Sequence, residues 1–186
     1  MRLVAATGNA HKVKEIRKIL KGYEILTAAE AGFFEDVEET GTTFLENALI
    51  KARAVCSATK LPALADDSGL CVDALGGEPG VYSARYSGGG SKENRALLLK
   101  NLQGVKDRRA NFCCAVALVF PDGRELTAEG RSYGEILTNE RGNGGFGYDP
   151  LFFSDDLNKT FSEATEEEKN AVSHRGLALR ALEKLL

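Results

Sequence analysis

The chain has 186 residues, 43% of them hydrophobic, enough to bury a core as a single domain over residues 1–186. A formal net charge of -3, from 24 basic and 27 acidic residues, excludes the strongly basic surface of a dedicated nucleic-acid binder. Two histidines and four cysteines without C-x-x-C spacing exclude a His-rich metal site and a disulfide or zinc framework. The sequence has no signal-peptide pattern and no apolar run of spanning length, so a soluble cytoplasmic protein without a membrane partner is expected.

In chain order, residues 2–6 read as a short buried strand ending at Thr7-Gly8-Asn9. A helix is predicted over 10–21, with Val13, Ile16, Ile19 and Leu20 at helical spacing and Gly22 as its stop. After the acidic stretch 35–39, Thr43 and Glu46 form a capping-box pattern for a second helix with Leu45, Ala48, Leu49, Ala52, Val55 and Cys56 on its apolar face. Residues 63–67 and 70–74 look strand-like, separated by Asp-Ser-Gly turn chemistry, and a glycine-rich loop covers 76–90. Ser91 is expected to cap a third helix to about residue 102. Segments 111–120 and 124–136 flank Pro121-Asp122-Gly123 as a hairpin. A glycine loop at 142–147 precedes Leu151-Phe152-Phe153, and Thr165 with Glu168 opens a helical C-terminus that Gly176 can interrupt. This alternation predicts an α/β protein with a mixed sheet flanked by helices.

Five segments carry chemistry. Asp66 and Asp67 end the apolar run 61–65 with no basic residue within five positions, so ionised together they need a cation or strong donors from elsewhere in the chain. Thr7, Gly8, Asn9, Ala10, His11 and Lys12 lie where a strand opens a helix, a place whose free N–H groups and dipole favour an anion. Lys12 in the first helical turn opposes that dipole, which makes sense beside a polyphosphate; the plainer alternative is an Asn-capped helix with a solvated lysine. Gly142–Gly147 matches G-x-G-x-x-G but follows a polar stretch and leads into Tyr148-Asp149-Pro150, so a dinucleotide fingerprint is rejected. Phe146, Gly147, Tyr148 and Asp149 read better as an aromatic platform with one carboxylate acceptor for a base, although Tyr148 itself reads as core. Lys169 and Ser173 fall four apart on one helical face, followed by His174 and Arg175, whose guanidinium can donate two hydrogen bonds to a keto oxygen or phosphate. Glu38 and Glu39 are either solvated or partners of Asp67 around a metal.

Taken together and in order, these segments resemble the inosine triphosphate pyrophosphatase-like enzymes. The matching pieces are Thr7-Gly8-Asn9…Lys12, Glu38–Phe44 with Glu46-Asn47-Ala48 and Lys51-Ala52, Ala65–Leu70, Gly80–Tyr86, Gly145–Pro150, and Glu167–Asn170 with Ser173–Gly176. The resemblance implies an elongated mixed sheet with two lobes around a central nucleotide cleft, and a homodimer. It also implies Mg²⁺-dependent hydrolysis of purine nucleoside triphosphates such as ITP, dITP and XTP to monophosphate and pyrophosphate, cleansing the nucleotide pool. Carried over, Asp67 is the proton acceptor and a metal ligand, and one of Glu38 and Glu39, with Glu39 favoured, shares the metal. Residues 7–12 and Lys51 hold phosphate, while Ser68, Phe146–Asp149, Lys169, His174 and Arg175 contact substrate.

A triphosphate carries about four negative charges that must be offset before water attacks the α-phosphorus, which suits Lys12, Lys51, Lys169 and a divalent cation. Three rivals are a nucleotide sensor without hydrolysis, a serine hydrolase using Ser173 or Ser68 with His174, and a pyrophosphatase for modified pyrimidine nucleotides. The paired metal ligands argue against the first. The second lacks a G-x-S-x-G elbow.

Overall fold

The computed structural model describes all 186 residues. Its seven strands are β1 (Arg2–Ala5), β2 (Glu24–Thr27), β3 (Ala63–Val72), β4 (Arg109–Val119), β5 (Glu125–Ile136), β6 (Phe152–Ser154) and β7 (Lys159–Thr160). They form one sheet in the order β2-β1-β3-β4-β5-β6-β7. Pairing is parallel between β1 and both β2 and β3, and antiparallel for β5–β6 and β6–β7, so the sheet is mixed as expected. The helices are α1 (Ala10–Ile19), α2 (Phe44–Thr59), α3 (Ser91–Asn101), α4 (Glu166–Val172) and α5 (His174–Glu183).

Contacts divide the chain into two compact units. The first holds residues 1–67, 114–130 and 175–186; the second holds 68–113 and 131–174. Two apolar clusters build the first unit. Leu3, Ala5 and Leu64 of the sheet meet Val13 and Ile16 of α1 and Ala178, Leu179 and Leu182 of α5. Val4, Ala63 and Ala65 meet Ala48, Ala52 and Val55 of α2. The strand period of two explains the division, since successive side chains point to opposite faces. In the second unit, Leu70, Val72, Phe112, Phe152 and Phe161 form a core with Leu98 and Leu102, and the Phe112, Phe152 and Phe161 rings pack with centroids 4.6–5.8 Å apart.

Several expectations change. The turn expected between segments 63–67 and 70–74 does not form: β3 runs unbroken through Ser68 and Gly69 for ten residues. Its sequence does not alternate because nearly every position is buried on both faces. The predicted single C-terminal helix is two, and the break falls at Ser173, which is extended at φ -67°, ψ 152°, while Gly176 sits inside α5. Ser91 is the first residue of α3; the cap is Gly90, whose N–H donates to Glu93 at 3.0 Å. Helix α1 ends at Ile19 because Leu20 leaves helical geometry at φ -91°, ψ 64°. Strands β2 and β7 carry no periodic signal over four and two residues.

Candidate active site

Helix α1 begins at Asn9, whose side-chain oxygen accepts the N–H groups of His11 (2.9 Å) and Lys12 (3.4 Å); the Asn9 N–H in turn donates to Thr7 Oγ1 at 3.2 Å. The cap therefore uses some of the donors expected to meet an anion. Gly8, Asn9, Ala10 and His11 are exposed and Thr7 is half-buried, so the turn stands open to solvent. Lys12 is not solvated: its Nζ lies 3.1 Å from Asp66 Oδ2.

The two adjacent acids do not share a pocket. Alternation along β3 sends Asp66 to the face of Leu64, covered by α1 and α5, and Asp67 to the face of Ala63 and Ala65, covered by α2. Asp66, 1% exposed, accepts from Arg175 Nε and Nη2 at 3.1 and 3.0 Å, and Arg175 Nη1 also donates to Glu15 of α1. Burial pushes the Asp66 carboxyl up, but the charges of Lys12, Arg175 and Lys51 outweigh it and hold the group well below the usual carboxylate range. Arg175 is itself 1% exposed; burial opposes its charge, yet Asp66 and Glu15 hold the guanidinium more firmly protonated than usual.

Asp67 meets a different set. Asn47 Nδ2 of α2 donates to its Oδ2 at 3.0 Å, and Lys51 Nζ, one helical turn on, lies 3.9 Å from Oδ1. Lys51 also reaches Glu39 at 3.4 Å and donates to the Asp66 carbonyl at 2.8 Å. The amide of Asn47 is oriented because its oxygen accepts the Gly41 N–H at 2.8 Å, an approach so close that a Cβ on Gly41 would lie 2.7 Å from it. Burial raises the Asp67 carboxyl above the ordinary range, with Glu39 adding to the rise and Lys51 and Asn47 opposing it. A buried, basic carboxylate of this kind suits proton acceptance. Of the two candidate glutamates, Glu39 reaches this set through Lys51, and Glu38 is exposed. No group of three His, Cys, Asp or Glu side chains is arranged to cage a metal.

The second unit holds the other candidates. Lys169 Nζ pairs with Asp149 Oδ2 at 2.7 Å, both side chains buried, and lies 4.5 Å from the Phe146 ring centroid. The Phe146 N–H donates to the same Asp149 oxygen at 3.0 Å. Gly145, at φ +70°, leaves room for it: a Cβ there would lie 2.3 Å from Asp149 Oδ2. Tyr148 is a core residue whose hydroxyl donates to the Ser83 carbonyl at 2.7 Å, and burial raises its phenol. His174 is buried and stacks on Phe112 at 4.7 Å. Gly147 and Ser68 are half-buried.

Thus Lys12, Asp66 and Arg175 come together, as do Lys51, Glu39 and Asp67, and likewise Phe146, Asp149 and Lys169. Asn47 and Glu15 were missed as site residues. A buried polar residue on the apolar side of α2 was the available signal for Asn47; Glu15 sits three residues after Lys12 and had none stronger.

The sequence pattern of the Ham1 family matches residues 3–185. A dITP/XTP pyrophosphatase of Clostridium perfringens is 50% identical over 99% of this chain and 95% of its own length. One from Geobacter sulfurreducens is 52% identical over 97% and 94%. The solved Ham1 protein of Staphylococcus aureus superimposes with a TM-score of 0.90 at 40% identity, covering 100% of this chain and 97% of that one.

Proposed function

The chain belongs to the Ham1 family, and from that membership we propose that it hydrolyses non-canonical purine nucleoside triphosphates, among them dITP, ITP and XTP, to the monophosphate and pyrophosphate. The relatives named dITP/XTP pyrophosphatase support the substrate class. The observation that carries the chemistry is Asp67: buried, raised in basicity, fixed at one oxygen by Asn47 and faced by Lys51.

Asp67 takes the proton of the water that attacks the α-phosphorus, and pyrophosphate leaves with its charge offset by Lys12 and Lys51. Asp67 and Glu39 fit Mg²⁺, which takes one or two carboxylates from a protein and completes its shell with water and phosphate oxygens; a cage of three ligands is not required. When bound, Mg²⁺ supplies charge shielding along the phosphates and a more acidic water. Phe146, Asp149 and Lys169 are assigned to the purine base, with Lys169 donating to a C6 keto oxygen that adenine lacks. Facing donor against donor costs about 1–3 kcal/mol, or roughly ten- to hundredfold in preference.

A homodimer rests on the family resemblance, and a cytoplasmic location on four cysteines read as free thiols of a reducing compartment. No helix is long and apolar enough to cross a membrane, and the net charge of -3 disfavours a nucleic-acid partner. The test is pyrophosphate release from ITP, dITP, XTP, GTP, ATP and dTTP, with and without Mg²⁺. Release from the first three, dependent on the metal and at least tenfold faster than from ATP, is the expected result; equal rates on all six would remove the assignment.

A further inference from the structure

Asp66 takes no part in the chemistry given to Asp67, yet it is 1% exposed and gathers charges from both ends of the chain. Arg175 Nε and Nη2 donate to its Oδ2, and Lys12 Nζ lies 3.1 Å from the same atom. Oδ1 is buried with no hydrogen-bond partner. A carboxylate serving Arg175 alone would favour the two-oxygen fork that a guanidinium matches. Here both Arg175 donors and the ammonium converge on one oxygen instead.

Charge balance points the same way. Arg175 lies between two carboxylates, Asp66 and Glu15, and Lys12 brings a second cation to Asp66. A carboxylate this deeply buried is costly unless cations face it, so Asp66 retains the Lys12 ammonium. Glu15 and Lys12 lie three apart on α1, which fixes the start of that helix at two points. Lys12 is also the more open of the two cations, its side chain 15% exposed against 2% for Arg175.

We infer that Asp66 is a positioning residue that acts through Lys12: anchored beside Arg175, it holds the lysine ammonium in place for a polyphosphate. This rests on the reading of Lys12 as a phosphate ligand. Asp66 touches neither substrate nor water in this scheme. Its removal is felt at the nucleotide only while Lys12 is present.

The test is a thermodynamic cycle of Asp66→Asn and Lys12→Met, read as Kd for the non-hydrolysable α,β-imido-ITP, with thermal midpoints recorded alongside. Asp66→Asn should weaken binding about tenfold, the size of one charge-assisted contact, when Lys12 is present. In the Lys12→Met background the same change should alter Kd less than about twofold. The same fold-change in both backgrounds overturns the inference, because a purely structural role would act regardless of Lys12. Asp66→Glu guards against an unfolded Asn variant: it keeps the charge for Arg175 but moves the oxygen that Lys12 uses. It should weaken binding only with Lys12 in place, and equal weakening in both backgrounds is again decisive against the tether. Absence of binding by the unaltered protein also overturns it. Binding without pyrophosphate release sinks only the proposed activity.

Discussion

Replacing Arg175 with Met removes a buried guanidinium while keeping most of its hydrocarbon stem. The side chain is 1% exposed and donates twice to Asp66 and once to Glu15. Breaking a buried ion pair by deleting one partner costs about 3–5 kcal/mol. Lys12 remains 3.1 Å from Asp66 and keeps part of the balance, which puts Arg175→Met at the lower end, about 3–4 kcal/mol. At about 2.1 cal/mol/K per residue, 186 residues give an unfolding entropy near 0.39 kcal/mol/K, so the thermal midpoint should fall by about 8–10 °C. Calorimetry at neutral pH measures this directly. Asp66 has a folded pKa below its unfolded value of about 3.9, so its stabilisation is present above that value and fades as pH falls through the depressed one. The gap between the two proteins should therefore narrow below about pH 4. A fall under about 2 °C at neutral pH would mean that the Asp66–Arg175–Glu15 set does not hold the fold.

The Asp67 carboxyl, followed by carbon-detected NMR in metal-free protein, should titrate above the ordinary aspartate value of about 3.9. The folded state then binds this proton more tightly than the unfolded one, so Asp67 costs stability as pH rises from about 3.9 through its raised pKa. Adding Mg²⁺ should move the titration down, and an unmoved curve would separate Asp67 from the metal. Gly145→Ala forces a Cβ to within 2.3 Å of Asp149 Oδ2 at a left-handed position, which costs about 1–3 kcal/mol locally. It should raise KM for ITP roughly tenfold with kcat largely kept, the pattern of lost uniform binding. An unchanged KM would remove the Asp149–Lys169 pair from nucleotide recognition.

Periodicity and capping boxes made α1, α2 and the β4–β5 hairpin legible because each is stabilised largely by neighbours in sequence. Strands β2 and β7 were not legible: they are four and two residues long and exist through main-chain pairing with other strands. The break expected at Ser68-Gly69 went wrong through turn propensity, which burial within β3 overrides. Treating the two acids as one pair hid the main point about the site. As two acids at a turn they would repel in one pocket, but as successive residues of a strand they face opposite sides. Each then acquires its own cations, Lys12 and Arg175 for Asp66 and Lys51 for Asp67. The need for distant positive charge could be read from the sequence; its distribution over two faces could not. Arg175 was legible as a guanidinium able to donate twice, but not as one committed to Asp66 and Glu15, because those partners lie 109 and 160 residues away.

Water attack at the α-phosphorus is tested most directly by hydrolysing ITP in H₂¹⁸O and weighing the products. One ¹⁸O atom in inosine monophosphate with none in pyrophosphate is the predicted result. Label in the pyrophosphate, or release of labelled inorganic phosphate in its place, would contradict it.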